Sequence, residues 1–225
     1  MNTIPTMRRL AILSTIVLIA GCGGGGGGGS TSTGAKTTST GTDTSGVKLG
    51  PAFGSFDSLP GVQNTPPPWN AGNGPALKPR LLKMGLQPLS QEGAVVHIHQ
   101  HLDIYVDGKK VLVPALIGIS EAQQFISDLH THDPSGIIHV ESPTASSFSL
   151  GQVFGVWGVP LGPNGIGSLK TGGGKLLKTW VNGKEVTADP TRVVLESHQE
   201  IVIAYGTAAE MPKDVPSSYS FPTGL

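Results

Sequence analysis

Cysteine, net charge, aromatic residues and long apolar runs are all scarce in this chain, and each scarcity removes a class of function. The 225 residues include one cysteine, Cys22, so no cluster of thiolates is available to hold a metal. Lys plus Arg and Asp plus Glu balance at 15 each, with three Tyr and three Trp and no basic run. That composition offers a nucleic acid neither a cationic surface nor stacking platforms, and no nucleic-acid partner is expected. Of the four methionines, only Met84 and Met211 lie beyond the N-terminal segment, too few for a Met-rich Cu(I) site. The chain also lacks an H-E-x-x-H helix and a G-x-S-x-G elbow.

The N-terminus is basic at Arg8-Arg9, apolar from Leu10 to Ala20, and small-residued at Ala20-Gly21. An apolar core of about eleven residues marks a secretory signal, because a spanning helix needs about 20. Ile19-Ala20-Gly21 before Cys22 resembles the bacterial lipobox, which implies cleavage before Cys22 and lipidation of that residue. Residues 1–21 are therefore expected to be a signal peptide. Residues 22–46, a glycine run followed by Ser, Thr and Gly, are expected to be a lipidated flexible tether. Residues 47–92 are Pro-rich with little periodicity and read as an irregular segment, 93–211 as one globular domain, and 212–225 as a C-terminal tail. The expected location is the bacterial cell envelope, with the lipid anchor in the membrane. Gly23 rather than Asp after the cysteine points, where there are two membranes, to the outer membrane facing the periplasm.

Histidine is what the chain has in concentration: six of its seven lie between His97 and His139. In Val96-His97-Ile98-His99-Gln100-His101-Leu102-Asp103-Ile104-Tyr105-Val106, apolar residues recur at 96, 98, 102, 104 and 106. That is the period of a half-buried strand. With the even positions facing a core, His97, His99, His101, Asp103 and Tyr105 share the opposite face. Residues i and i+2 on a strand are about 6.5 to 7 Å apart, so two of these rings can reach one ion. All three would need a bulge or a second strand.

The second run supplies that strand. Leu129-His130-Thr131-His132 leads into Asp133-Pro134-Ser135-Gly136, a type I turn signal whose Asp side chain is expected to cap backbone N–H groups. Ile137-Ile138-His139-Val140-Glu141 then returns. If the turn closes a hairpin, His130 and His139 become cross-strand neighbours with Cβ atoms about 5 Å apart, and His132 and Glu141 share their face. The same register sets Asp128 opposite Glu141, an unfavourable pair unless a cation lies near.

Elsewhere, Asp107-Gly108 and Asn182-Gly183 between apolar runs signal hairpins, the first pairing the histidine strand with residues 110–119. Ser149 is a plausible N-cap for a short helix over Leu150–Trp157, weakened by two glycines and contributing Phe154 and Trp157 to the core. Glu200–Tyr205 reads as the last strand. The fold class is therefore α+β, mostly antiparallel β hairpins with one short helix, with a β-grasp-like C-terminal half as an option.

The segments His97-x-His-x-His-Leu-Asp-Ile-Tyr-Val-Asp-Gly108, Leu129-His-Thr-His-Asp-Pro-Ser-Gly-Ile-Ile-His-Val-Glu-Ser-Pro143 and Phe148-Ser-Leu-Gly-Gln-Val-Phe-Gly-Val-Trp-Gly-Val159 resemble a family of uncharacterised bacterial exported proteins and lipoproteins. The resemblance spans roughly residues 93 to 206 and implies no activity, so function rests on the chemistry.

Neutral imidazoles with nearby carboxylates suit a transition metal. Copper leads on affinity, zinc on the frequency of histidine sites, and iron follows. The candidate ligands are His97, His99, His101, His130, His132 and His139. Of these, His99, His130, His132 and His139 are expected to converge, and His97 and His101 to complete that site or form a second. Asp103 and Glu141 are expected as ligands, as acceptors that orient the rings, or as salt-bridge partners. His198 is expected to be a loop residue. Three functions follow: an envelope protein that buffers, senses or delivers metal with a donor or acceptor protein as partner; a metalloenzyme; or a structural or adhesive module whose histidines only pair strands. A cupin oxygenase is disfavoured, because the spacing around His97 and His99 is off and no second cupin histidine motif follows.

Overall fold

A computed structural model describes residues 41–225. The signal segment, Cys22 and nearly all of the tether lie outside the described residues. Among those described, no helix is long and apolar enough to cross a membrane.

A seven-stranded mixed sheet organises the domain, built from β1 (Val96–Val106), β2 (Lys109–Val111), β3 (Leu129–His130), β4 (Ile137–Ser142), β5 (Lys175–Val181), β6 (Lys184–Val186) and β7 (Glu200–Thr207). Its order is β6-β5-β7-β1-β4-β3, with β2 pairing the far end of β1 beyond β4. The expected hairpins form at Asp107-Gly108 and Asn182-Gly183. Two expectations need correction. The partner of the histidine strand leaves the sheet after Val111 rather than running to residue 119, and the last strand lies parallel to β1, with Glu200 opposite His101 and Tyr205 opposite Val106. That long-range parallel pairing carries no local turn signal and is visible only once both strands are buried side by side.

Leu102, Ile104, Val140, Ile201 and Ile203 turn one face of the sheet into the main core. Helix α2 (Leu150–Trp157) covers it, opened by the expected cap: Ser149 accepts from the Gln152 N–H while the Gln152 side chain accepts from the Ser149 N–H, a capping box. One of the two glycines that argued against this helix has a packing reason. A Cβ at Gly155 would come within 2.4 Å of Met84 Sδ and 2.8 Å of the Phe53 ring, so the bare position lets both side chains pack directly on the helix.

A second helix, α1 (Leu77–Lys83), was not expected. It falls in the segment read as irregular, which also sends Val47, Leu49, Phe56, Trp69 and Leu81 into the main core. Arg80, fully buried on α1, donates to the carbonyls of Val156, Pro60 and Gly72. Burial without a carboxylate partner pushes its guanidinium down to about 10. The negative end of α2, at Val156, is the compensating dipole.

The opposite face of the sheet changes character along β1. Near Tyr105 it is apolar, covered by Trp180, Val202, Ala204, Met211 and Val215. Towards the start of β1 it carries the histidines.

Candidate metal centre

Register alone brings the two histidine runs together. On β1 and β4, His99 lies opposite His139 and His97 opposite Glu141. On β4 and β3, His139 lies opposite His130, the pairing expected from the turn. One row across three strands is thus His99, His139, His130, and the next row begins His97, Glu141. Rows two residues apart on every strand share a face, and His132 follows His130 on that face.

The rings form a continuous cluster. Centroids are 4.9 Å apart for His97–His99, 4.6 Å for His99–His139, 5.2 Å for His130–His139, 4.5 Å for His132–His139 and 4.8 Å for His130–His132. One donor atom each from His130, His132, His139 and Glu141 lie within 4.8 Å of one another, and the same holds for His97, His99 and Glu141. Glu141 Oε1 is the meeting point: 2.9 Å from His139 Nδ1, 3.4 Å from His97 Nε2 and 3.8 Å from His99 Nε2.

Sequence reasoning missed Glu92. Its Oε1 lies 3.2 Å from His132 Nε2 and 3.9 Å from His130 Nε2. A lone carboxylate in a loop has no periodic signal, but its neighbour Gly93 explains how it arrives. A Cβ at Gly93 would lie 2.1 Å from the Ser142 carbonyl carbon, so only glycine lets the chain cross the end of β4 and set Glu92 over the rings. Asp128 is opposite Glu141 in backbone register as expected, yet the carboxyl whose charge raises Glu141 is that of Glu92.

The electrostatics favour a cation. Burial, reinforced by neighbouring imidazoles, pushes His99 and His139 down to about 4; burial pushes His130 to about 3. These three rings are neutral at neutral pH and keep a lone pair. His130 Nδ1–H donates to the Ser127 carbonyl at 2.9 Å, which leaves the lone pair on Nε2, 3.2 Å from His132 Nε2. His99 Nε2 is buried with no hydrogen-bond partner. Burial and the adjacent Glu92 carboxyl raise Glu141 above the ordinary range, a repulsion that a cation would relieve.

His101 stands apart. Its Nδ1 is 2.7 Å from Glu200 Oε2 and its Nε2 is 3.0 Å from the Ser135 carbonyl, while Tyr219 stacks on the ring at 3.7 Å. Both nitrogens thus face acceptor oxygens within the fold. His101, Asp103 and Glu200 do bring donor atoms close enough to count as a third group that could hold an ion, but Asp103 is already 2.6 Å from Lys110 Nζ. Glu200 and Tyr219 were not foreseen, since the first depends on the parallel pairing and the second on the path of the tail. His198 is a loop residue bonded to the Leu225 carbonyl at 3.1 Å. Asp133 caps its turn through the Ser135 N–H at 2.8 Å.

A cavity of about 670 Å³ lies elsewhere, between residues 48–59, Lys83, Met84 and the start of α2, and its lining contains no histidine or carboxylate. Comparison with protein-family models, curated proteins and solved structures gives no match.

Proposed function

We propose that this is a lipid-anchored envelope protein that binds copper or zinc through the histidine cluster, for buffering, sensing or delivery of the ion. The observation that carries the metal reading is His99: a buried ring nitrogen without a hydrogen-bond partner, set beside the His97 and His139 rings and a buried carboxylate. A network built only to join strands would satisfy that atom, because an unpaired buried polar group costs about 1–3 kcal/mol. An ion supplies the missing partner. Nitrogen-rich ligation favours copper by affinity and zinc by preference for imidazole, with iron behind them.

Handling is favoured over storage by the rim. His97 and His132 are about half exposed, as is Glu92, so a donor or acceptor protein can reach the ion by ligand exchange. The same open rim supports a metalloenzyme as second reading, since water can complete the coordination there. Anchoring rests on the lipobox-like Ile19-Ala20-Gly21-Cys22, and the resemblance to exported lipoproteins is consistent with it. The placing of β7 between β5 and β1, after α2 and the β5–β6 hairpin, supports a β-grasp-like reading of the C-terminal half.

The test is thermal unfolding of the full chain, purified without a polyhistidine tag, with and without Cu²⁺ or Zn²⁺. With free ion at about 100 times Kd, binding adds about 2.7 kcal/mol and raises Tm by about 5–11 °C for a chain of this size. No rise with any of Cu²⁺, Zn²⁺ or Fe²⁺ at millimolar concentration would refute the proposal.

A further inference from the structure

The cluster contains more donors than one ion can use. Five imidazoles, His97, His99, His130, His132 and His139, meet two carboxylates, Glu92 and Glu141. A first-row ion in a histidine site takes four ligands, or five when the site expands. Six of the seven, all but Glu92, also fall into two groups rather than one shell. His130, His132 and His139 are gathered with Glu141 on one side, and His97 and His99 with the same Glu141 on the other.

We infer that the cluster is a two-ion centre in which Glu141 is the shared carboxylate. This deepens the metal reading above and rests on it. The first ion would be held by His130 Nε2, His132 Nε2, His139 and the shared Glu141, with Glu92 at its rim. The separations of His130 Nε2 from His132 Nε2, 3.2 Å, and of His132 Nε2 from Glu92 Oε1, 3.2 Å, match the edge of a tetrahedron with bonds of about 2.0–2.1 Å, which is about 3.3 Å. His132 Nε2 has at most one hydrogen to give, so a hydrogen bond satisfies only one of its two close contacts, with His130 Nε2 or with Glu92 Oε1, whereas an ion satisfies both.

The second ion would be held by His97 Nε2, His99 Nε2 and Glu141. His97 Nε2 is 3.4 Å and His99 Nε2 3.8 Å from Glu141 Oε1, again near the spacing of ligands on one ion. Here the independent observation is the unpartnered His99 Nε2. It belongs to this second group and lies outside the group formed by His130 and His132, so a single ion at the first position leaves it unsatisfied. Glu141 is buried at the junction on β4, with its Oε1 2.9 Å from His139 Nδ1 of one group and 3.4 Å from His97 Nε2 of the other. Carboxylate-bridged ions lie about 3.5–4 Å apart, a spacing compatible with groups that share one side chain.

The binding stoichiometry of the full chain decides it. Isothermal titration of the apo protein with Cu²⁺ or Zn²⁺ is expected to give two equivalents per chain. Electron paramagnetic resonance of the fully loaded Cu²⁺ protein is expected to show magnetic coupling between the ions, with a half-field signal. His97→Ala and His132→Ala change half-exposed side chains and are expected to keep the wild-type circular dichroism spectrum; each is expected to lower the count from two to one and to abolish the half-field signal. A single equivalent in the wild-type chain would overturn the two-ion centre while leaving the metal reading in place. Two equivalents with uncoupled spectra would overturn the shared Glu141. No binding at all would overturn the metal reading itself.

Discussion

His99→Leu is expected to make the apo protein more stable and the metal-binding protein worse. The ring is buried on β1 with its Nε2 unpaired, and burial pushes it down to about 4. In the absence of an ion it therefore keeps a desolvated polar atom with nothing to bond. Leucine has about the same volume and no such atom, so the substitution removes a penalty of about 1–2 kcal/mol. The apo Tm should rise by about 2–8 °C. Metal binding should respond in the opposite direction. Loss of a group that only supports a ligand costs about 10–100-fold in affinity, and loss of the ligand itself should cost at least about 100-fold at that ion. Paired thermal unfolding and metal titration of the variant read both effects. A fall in apo stability with unchanged affinity would show that His99 serves the fold alone.

Acid should unfold the apo protein over a higher pH range than exposed carboxylates would dictate. His99, His139 and His130 ionise near 6.5 when unfolded, but in the folded chain burial holds them at about 4, 4 and 3. Between these limits the unfolded chain binds protons that the native chain refuses. Stability is thus fully present above about pH 6.5 and is lost as pH falls towards 4, with a slope of up to about three protons. Glu141 works in the opposite sense. Burial and Glu92 raise it, so the native state holds a proton there that the unfolded state has released, and up to about one proton is subtracted from the slope. The net loss is on the order of several kcal/mol, a large part of a typical domain's stability. Urea unfolding at stepwise pH should show it, and His130→Leu should flatten the slope by about one proton. Saturating metal should move the transition to lower pH, because protons then compete with the ion. Stability independent of pH between 4 and 6.5 would rule out neutral buried rings.

These effects explain why the site could be read from the sequence further than the fold could. Alternation in Val96–Val106 put His97, His99 and His101 on one face, and the Asp133–Gly136 turn put His130 opposite His139; both signals are local, and both hold in the register. The step that joins the two runs, β1 against β4, is a pairing across more than thirty intervening positions, and nothing in either strand names its partner. The same distance in sequence hid the parallel β7–β1 contact, and with it Glu200 beside His101. Glu92 was hidden for a different reason. It reaches the rings from a loop, where neither period 2 nor period 3.6 operates, and only the close approach at Gly93 marks the place. Helix α1 was obscured by the prolines around it, including Pro79 within it. That residue falls in the first turn, where a missing N–H breaks no helical bond.

His101 shows what spacing cannot decide. In sequence it is indistinguishable from His97 and His99, the third beat of an alternating run. In the fold its two nitrogens face a carboxylate and a carbonyl, so identical periodicity yields a pinned ring at one position and an open lone pair two residues earlier.

The central claim is that the converged histidines hold a transition metal, and the most direct measurement is the metal content of the full chain as isolated. Elemental mass spectrometry, on protein purified without a polyhistidine tag, should find near-stoichiometric copper or zinc that falls sharply in the His130→Ala/His132→Ala double variant. A chain that carries no metal as isolated, and retains none after addition of Cu²⁺, Zn²⁺ or Fe²⁺ and desalting, would contradict the claim and leave the imidazoles as a polar network between strands.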